Sequence, residues 1–289
     1  MNHRSPVVGD DLWSLIRAFG PDLVSAEDIT KLPSPVSNRG SFKLCFSDGS
    51  VVKGKQTESE QRCERLAALL PDLEIARCSS LLGREGAALL EEWIPGTPLN
   101  QLEITADRLS EAGELMARLG RTRLPTDAVP SRFGDPERYV AQVERRLAGL
   151  VDAAALASES ARRLLGRARK NRPGRLDVGL IHNDFCPENL IVESGGALHV
   201  VDIEDLRVGP LDIDLARTWY RWPMTSSQWQ KFSEGYGRYR GVDSFLAHED
   251  FWAIWTLSGS ALFRLERRLP HSPPLGLLQS LVGSREALV

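Results

Sequence analysis

The sequence predicts an α+β chain in which a small β-rich lobe precedes a larger, mainly helical one. Three observations carry this. Phe42, Leu44 and Phe46 alternate with polar residues before an SDGS turn and Val51–Val52, the pattern of a half-buried hairpin. IPGTPL at 94–99 is a proline- and glycine-rich connection, the best internal boundary in the chain. Beyond it, apolar side chains recur at helical spacing, as at Leu109, Ala112, Leu115, Met116 and Leu119.

In chain order, residues 11–19 predict a short helix, 37–56 the hairpin, and 58–70 a helix with Leu66, Leu69 and Leu70 on its apolar side. Residues 76–93 predict two further strands. After the connection, helices are expected at 105–119, 136–149 and 153–169, and KNRPGRLD at 170–177 is a turn. Leu180–Ile181 end one strand and Leu190–Val192 begin another. The polar stretch between them, HNDFCPEN, is a loop held by two apolar flanks, where function often resides. ESGG at 193–196 turns the chain into LHVVDIEDL at 198–206, and the remainder is mainly helical.

The 289 residues are 42% hydrophobic and 26% charged, with a formal net charge of -3. That is ordinary for a soluble chain with one or two domains, and it lacks the positive excess expected of a nucleic-acid binder. No run approaches the length of a membrane span. The four cysteines (45, 63, 78 and 186) form neither a metal knuckle nor a dense disulfide framework, so reduced thiols and a cytoplasmic location are expected.

The chemistry-bearing residues cluster around the loop. Asp184 and Asn189 lie five positions apart across a proline turn. Asp202 follows thirteen positions after Asn189, where the LHVVD strand runs out, and the ESGG turn can bring the two together. A carboxylate with an amide oxygen is a hard-oxygen pair suited to Mg²⁺. Asp184 is left to orient a hydroxyl and accept its proton, a division of labour that fits phosphoryl transfer. Lys53, directly after two valines, is the candidate phosphate-binding ammonium, and Lys55 shares its strand face. Glu60 and Glu64 share a helix face as candidate acidic partners, with Glu64 preferred. SNRGS at 37–41 is a candidate phosphate-side loop, although it holds a single glycine.

IHNDFCPENLIV followed by VVDIEDLRVGPLDIDLA resembles the aminoglycoside phosphotransferase and choline kinase-like superfamily, which shares the protein-kinase fold. The resemblance spans about residues 30–240 and includes SNRGSFKL, VVK and LLEEWIPGTPL. It implies a bilobal fold, Asp184 as catalytic base, and Asn189 and Asp202 as magnesium ligands. His182 and Asp214 would support the loop. The backbone near Glu91, Glu92 and Trp93 would meet the adenine of ATP. On this basis residues 1–93 form a nucleotide-binding lobe and 94–289 a catalytic and acceptor-binding lobe. One departure is Leu119-Gly120, where family members commonly have Leu-His.

The expected activity is transfer of the ATP γ-phosphate to a hydroxyl of a small molecule. An aminoglycoside-phosphotransferase-like enzyme, with antibiotic resistance as a possible outcome, is the leading expectation. An amino alcohol, sugar or hydroxyamino acid is the alternative acceptor, and a nucleotide-binding regulatory pseudokinase the alternative role. Glu204, Asp205 and Asp212 are candidates either for attracting a cationic acceptor or for pairing with Arg207 or Arg217. Trp222, Trp229, Trp252 and Trp255 are expected mainly in the core, with one or two open to lining an acceptor pocket. Cys186 is assigned to packing.

Overall fold

The computed structural model describes residues 9–30, 40–57, 59–69, 77–122 and 131–283. Of the candidate loop SNRGS, residues 37–39 lie outside these. The chain divides into two compact units, Met1–Leu102 with Glu188–Glu204, and Glu103–Pro187 with Asp205–Val289.

The first unit is built on helix α1 (Asp10–Phe19) and a sheet of β1 (Leu23–Asp28), β2 (Gly40–Phe46), β3 (Val51–Gln56), β4 (Leu81–Glu85) and β5 (Ala88–Glu92). The sheet is antiparallel throughout, in the order β1-β2-β3-β5-β4. Helix α2 (Glu60–Leu69) connects β3 to the β4–β5 hairpin. The alternation seen in the sequence becomes a core: Phe42, Leu44, Phe46 and Val52 pack with Ala88, Leu90 and the Leu12, Leu15 and Ile16 stripe of α1. Each such side chain contributes about 1.5–3 kcal/mol on burial. This packing also decides the opposite face. Because Val52 and Leu90 point to α1, Lys53, Lys55 and Glu91 must point away from it.

The chain leaves β5 through a short strand, β6 (Thr97–Pro98). After β7 (Val178–Ile181), which belongs to the second unit, it returns as β8 (Leu190–Val192) and β9 (Leu198–Val200). These form a three-stranded sheet in the order β6-β8-β9. Gly96 is required here, since a Cβ would run into the Val192 carbonyl oxygen.

The second unit pairs β7 with β10 (Arg207–Pro210), antiparallel, among helices α3 (Ala106–Gly120), α4 (Pro136–Asp152), α5 (Ser158–Lys170), α6 (Asp212–Arg221), α7 (Ser226–Gly237), α8 (Asp243–Ala247), α9 (Glu249–Glu266) and α10 (Ser272–Gly283). Thr105 caps α3, Asp135 caps α4 with proline at the next position, and Thr225 with Gln228 closes a capping box on α7. The helix expected from residue 153 begins at 158 instead, because the chain turns at Ala154 with φ 56.

Trp222 and Trp229 pack on Phe232, while Trp252 and Trp255 pack around Tyr139, and all four are buried. They are core residues, and the expectation that one or two line an acceptor pocket is not met. No helix among the described residues is long and apolar enough to cross a membrane.

Helices α3 and α7 approach backbone to backbone. A Cβ on Gly113 would overlap the Phe232 carbonyl, and one on Gly235 the Ser110 carbonyl. Gly235→Ala is therefore expected to lower stability by about 1–3 kcal/mol through overpacking, although alanine is the better helix former. Chemical denaturation checks this, and an unchanged midpoint would contradict so close a contact.

Candidate functional site

In the first unit the β8–β9 hairpin presents two of the expected residues. Leu190 pairs with Val200, and the Val201 N–H donates to the Asn189 carbonyl at 3.0 Å. Asn189 and Asp202 are thereby brought to the same end of the hairpin. Asn189 is buried, and Asp202 leaves the strand with φ 67. That left-handed conformation turns the chain sharply after β9.

Asp202 meets the lysine face of β3. Its Oδ1 lies 2.9 Å from the Nζ of Lys53 and 2.9 Å from the Nζ of Lys55. The structure thus brings both candidate lysines to one carboxylate oxygen. They differ in environment, with side-chain exposures of 13% for Lys53 and 2% for Lys55. Burial disfavours both ammonium groups. For Lys53, the charges of Asp202 and Glu91 outweigh it and hold the pKa above the ordinary value. For Lys55, burial and the neighbouring Lys53 charge prevail, and the pKa is pushed down.

The acidic partner is not where the helix spacing suggested. Glu64 is exposed, with its carboxylate 3.5 Å from Arg84, and Glu60 is exposed as well. Glu91 is opposite Lys53 across the β3–β5 ladder and is completely buried. Neither of its carboxylate oxygens has a hydrogen-bond partner among the described residues. A buried carboxylate is costly unless nearby charge compensates it. Lys53 and Lys55 supply that charge, since both feel Glu91 electrostatically. The two ammonium groups and two carboxylates form a balanced cluster, which the notion of a helix-borne partner for Lys53 overlooked.

Glu92 is exposed at the end of β5, with its N–H bonded to the Ser80 carbonyl at 2.8 Å. Trp93 is the first residue beyond the strand, and the Lys43 ammonium lies 4.9 Å from its ring centroid.

The second unit holds the rest of the loop. Asp214, at the start of α6, accepts the N–H of His182 at 2.7 Å and that of Asn183 at 2.6 Å. Asn183 has φ 67, so Asp214 fixes a sharp bend. The His182 ring is fully buried, its Nδ1 accepts the Asp184 N–H at 3.3 Å, and it stands edge-on to Phe185. Thr218 donates to the Phe185 carbonyl at 2.9 Å. Burial pushes the Asp214 carboxyl pKa up, opposed by His182 and the two backbone donors. His182 and Asp214 are therefore placed to hold the loop. Cys186 is buried, in no disulfide among the described residues, with its Sγ 3.8 Å from Arg221 Nη2.

Asp184 projects from this supported loop toward two arginines of α6. Arg221 Nη1 lies 3.1 Å from its Oδ1 and Arg217 Nη2 lies 3.8 Å away. Sequence reasoning gave these arginines no role at Asp184. The available signal was their four-residue spacing directly after Asp-Leu-Ala, which places both on one helix face. Asp212 is turned elsewhere, bonded to Arg240 at 3.1 Å and Ser244 at 3.2 Å. Gly120, the departure from the common Leu-His pair, packs against Leu211, and an added Cβ would sit 2.8 Å from its Cδ2.

A two-unit α+β chain with an antiparallel sheet, a loop-borne aspartate and a lysine–aspartate contact defines a protein-kinase-like phosphotransferase fold. A family model described as "Phosphotransferase enzyme family" (APH) matches residues 46–255, and the chain belongs to that family. An aminoglycoside 3'-phosphotransferase of Streptomyces fradiae is 27% identical over 168 residues, covering 54% of this chain and 59% of the relative. The chain therefore matches well under two thirds of that relative's length. Among solved structures, spectinomycin phosphotransferase APH(9)-Ia in its AMP-bound complex superposes with a TM-score of 0.68 at 13% identity, covering 95% of this chain and 98% of that one. Plasmodium vivax ethanolamine kinase superposes with a TM-score of 0.62 at 10% identity, covering 89% of this chain and 80% of that one. At these identities the likeness establishes the fold.

Proposed function

We propose that this protein is an ATP-dependent kinase of a small hydroxylated molecule, with chemistry like that of the aminoglycoside phosphotransferases. The observation that carries the reading is the Asp202 carboxylate bonded to Lys53 and Lys55, with the buried Asn189 at the same end of the β8–β9 hairpin. One carboxylate and one amide oxygen are a donor set that fits Mg²⁺, which keeps several waters and takes phosphate oxygens as further ligands. Asn189 and Asp202 would hold that ion, and it would neutralise charge on the phosphates.

Lys53 and Lys55 would bind phosphate oxygens of ATP, and the backbone from Glu91 to Trp93 would meet the adenine. Glu91 would orient the lysines from within the sheet. Asp184 would orient the acceptor hydroxyl and take its proton as the oxygen bonds to the γ-phosphorus. The bond from that phosphorus to the β,γ-bridging oxygen breaks, and ADP leaves. On this reading residues 1–93 carry most nucleotide contacts, while 94–289 supply the base, the acceptor contacts and both metal ligands.

ADP release is measured with Mg²⁺ and ATP across aminoglycosides, amino alcohols, sugars and hydroxy acids. Mg²⁺-dependent turnover of at least one acceptor is expected. Glu91→Gln should lower kcat/KM for ATP by about tenfold, equal to about 1.4 kcal/mol, whereas Glu64→Gln should change it less than about twofold, as for an exposed charge. A larger loss in the Glu64 variant would return the acidic role to the helix. Failure of the wild type to bind ATP with Mg²⁺ would sink the kinase reading itself.

A further inference from the structure

The surroundings of Asp184 carry information about the acceptor. A base that takes a proton from a hydroxyl must sit within hydrogen-bond reach of it. Groups within 4 Å of the base then lie near the substituents next to that hydroxyl. Here those groups include the guanidinium ends of Arg217 and Arg221. Both come from α6, and Thr218 of the same helix is tied to the loop through the Phe185 carbonyl. Their placement beside Asp184 is thus built into the support of the loop.

Two more arginines, Arg207 and Arg146, act electrostatically on Arg217 or on each other. Arg207 donates to Asn183 Oδ1 at 2.6 Å, within the same loop. Arg146 is half-buried over the Trp255 ring, donates to the Trp255 carbonyl at 2.7 Å, and has its pKa lowered by desolvation and then by the Arg207 and Arg217 charges. Cations crowded in this way repel one another, and a bound anion relieves the repulsion. Arg217 also has a buried Nε with no hydrogen-bond partner among the described residues.

Three carboxylates share the field of these arginines: Asp184 faces Arg217 and Arg221, Asp205 acts on Arg207, and Asp214, which accepts two backbone donors, acts on Arg207 and Arg217. Asp212 is paired with Arg240 and Ser244 instead. Paired guanidinium groups offer the donor geometry that recognises carboxylate or phosphate.

We propose that Arg217 and Arg221 form an anion-binding subsite beside Asp184, and that the acceptor is a small hydroxylated molecule bearing a carboxylate or phosphate close to its reactive hydroxyl. This rests on the kinase reading and narrows its acceptor class away from aminoglycosides.

The test compares acceptors matched except for charge: glycerate with glycerol, serine with ethanolamine, glucose 6-phosphate with glucose, and kanamycin as a polycation. The member of each pair that bears a carboxylate or phosphate should show a kcat/KM higher by about 10–100-fold, the range for hydrogen bonds to charged groups. The first two pairs report on carboxylate and the third on phosphate. In the R217M/R221M double variant that ratio should collapse, mainly through KM, and R217K/R221K should keep part of it. Thermal melts identify any variant that has lost its fold, in which case the lysine pair and the wild-type ratios decide.

Preference for the neutral or cationic members, or a ratio unchanged by the double variant, would overturn the proposal. So would an equal loss of kcat for charged and neutral acceptors, which would assign the arginines to the transferred phosphoryl group. If no acceptor of the panel is consumed, calorimetric titration with inorganic phosphate and with glycerate decides, run with and without a non-hydrolysable ATP analogue. Binding weakened about tenfold or more in the double variant supports the subsite, and absent or unaltered binding removes it. Failure of the kinase reading shows separately, as absent binding of Mg²⁺ and ATP.

Discussion

Asp184→Asn is expected to lower phosphoryl transfer by about 10²–10⁴-fold, the range for loss of a positioned general base. Asparagine keeps the size and leaves an oxygen to accept a hydrogen bond, so the loss isolates proton acceptance and charge. The affinity for ATP with Mg²⁺ should change little, because Lys53, Lys55, Asn189 and Asp202 are untouched. Steady-state kinetics with a reactive acceptor and calorimetry with the ATP analogue measure the two effects. The fold should survive, since the loop is held by Asp214 through the His182 and Asn183 N–H groups at 2.7 and 2.6 Å. Near-wild-type turnover would remove Asp184 as the base.

Asp202→Ala has the larger structural consequence. It removes the carboxylate oxygen that both Lys53 and Lys55 contact at 2.9 Å, leaving two ammonium groups side by side with Glu91 as their remaining buried counter-charge. Breaking one side of a buried ion pair typically costs about 3–5 kcal/mol. Asp202 retains 22% side-chain exposure, so the lower end of that range is expected. Metal-dependent nucleotide binding should be lost as well. Adding Lys55→Met to Asp202→Ala should recover much of the stability, because it removes the more deeply buried ammonium, without recovering turnover. Urea denaturation and calorimetry separate these outcomes. An Asp202→Ala protein that binds ATP with Mg²⁺ as the wild type does would show that the ion is held elsewhere.

Much of the fold was legible because its signals are local. The alternation of Phe42, Leu44 and Phe46 is a strand pattern whatever the rest of the chain does. The four-residue helical recurrence from Leu109 to Leu119 and the ESGG turn are equally self-contained. Strand β1 was missed because LVSAED has no alternation, and its burial follows none. It is a strand through its ladder to β2, with an irregularity near Leu23. Strand β10 was missed because Arg207–Pro210 is short and carries glycine and proline. Its pairing with β7 supplies what propensity does not.

For the candidate site, the spacing of Asp184, Asn189 and Asp202 was readable because a loop and a hairpin join them in sequence. The lysine face of β3 followed from the period of two along a strand. The acidic partner was not readable, because helix spacing brings Glu60 and Glu64 together without saying which way α2 turns. Tertiary packing placed Glu64 by Arg84 and left Glu91 as the buried charge across from Lys53. The crowding of Arg217 and Arg221 on Asp184 likewise joins residues more than thirty positions apart through the docking of α6. The sequence by itself determined which residue types stand at short, chain-connected spacings, and so which phosphoryl-transfer chemistry could be proposed for them. The tertiary structure decided which charges surround those residues, since burial and long-range contact set the sign of the field felt by Asp184 and the lysines.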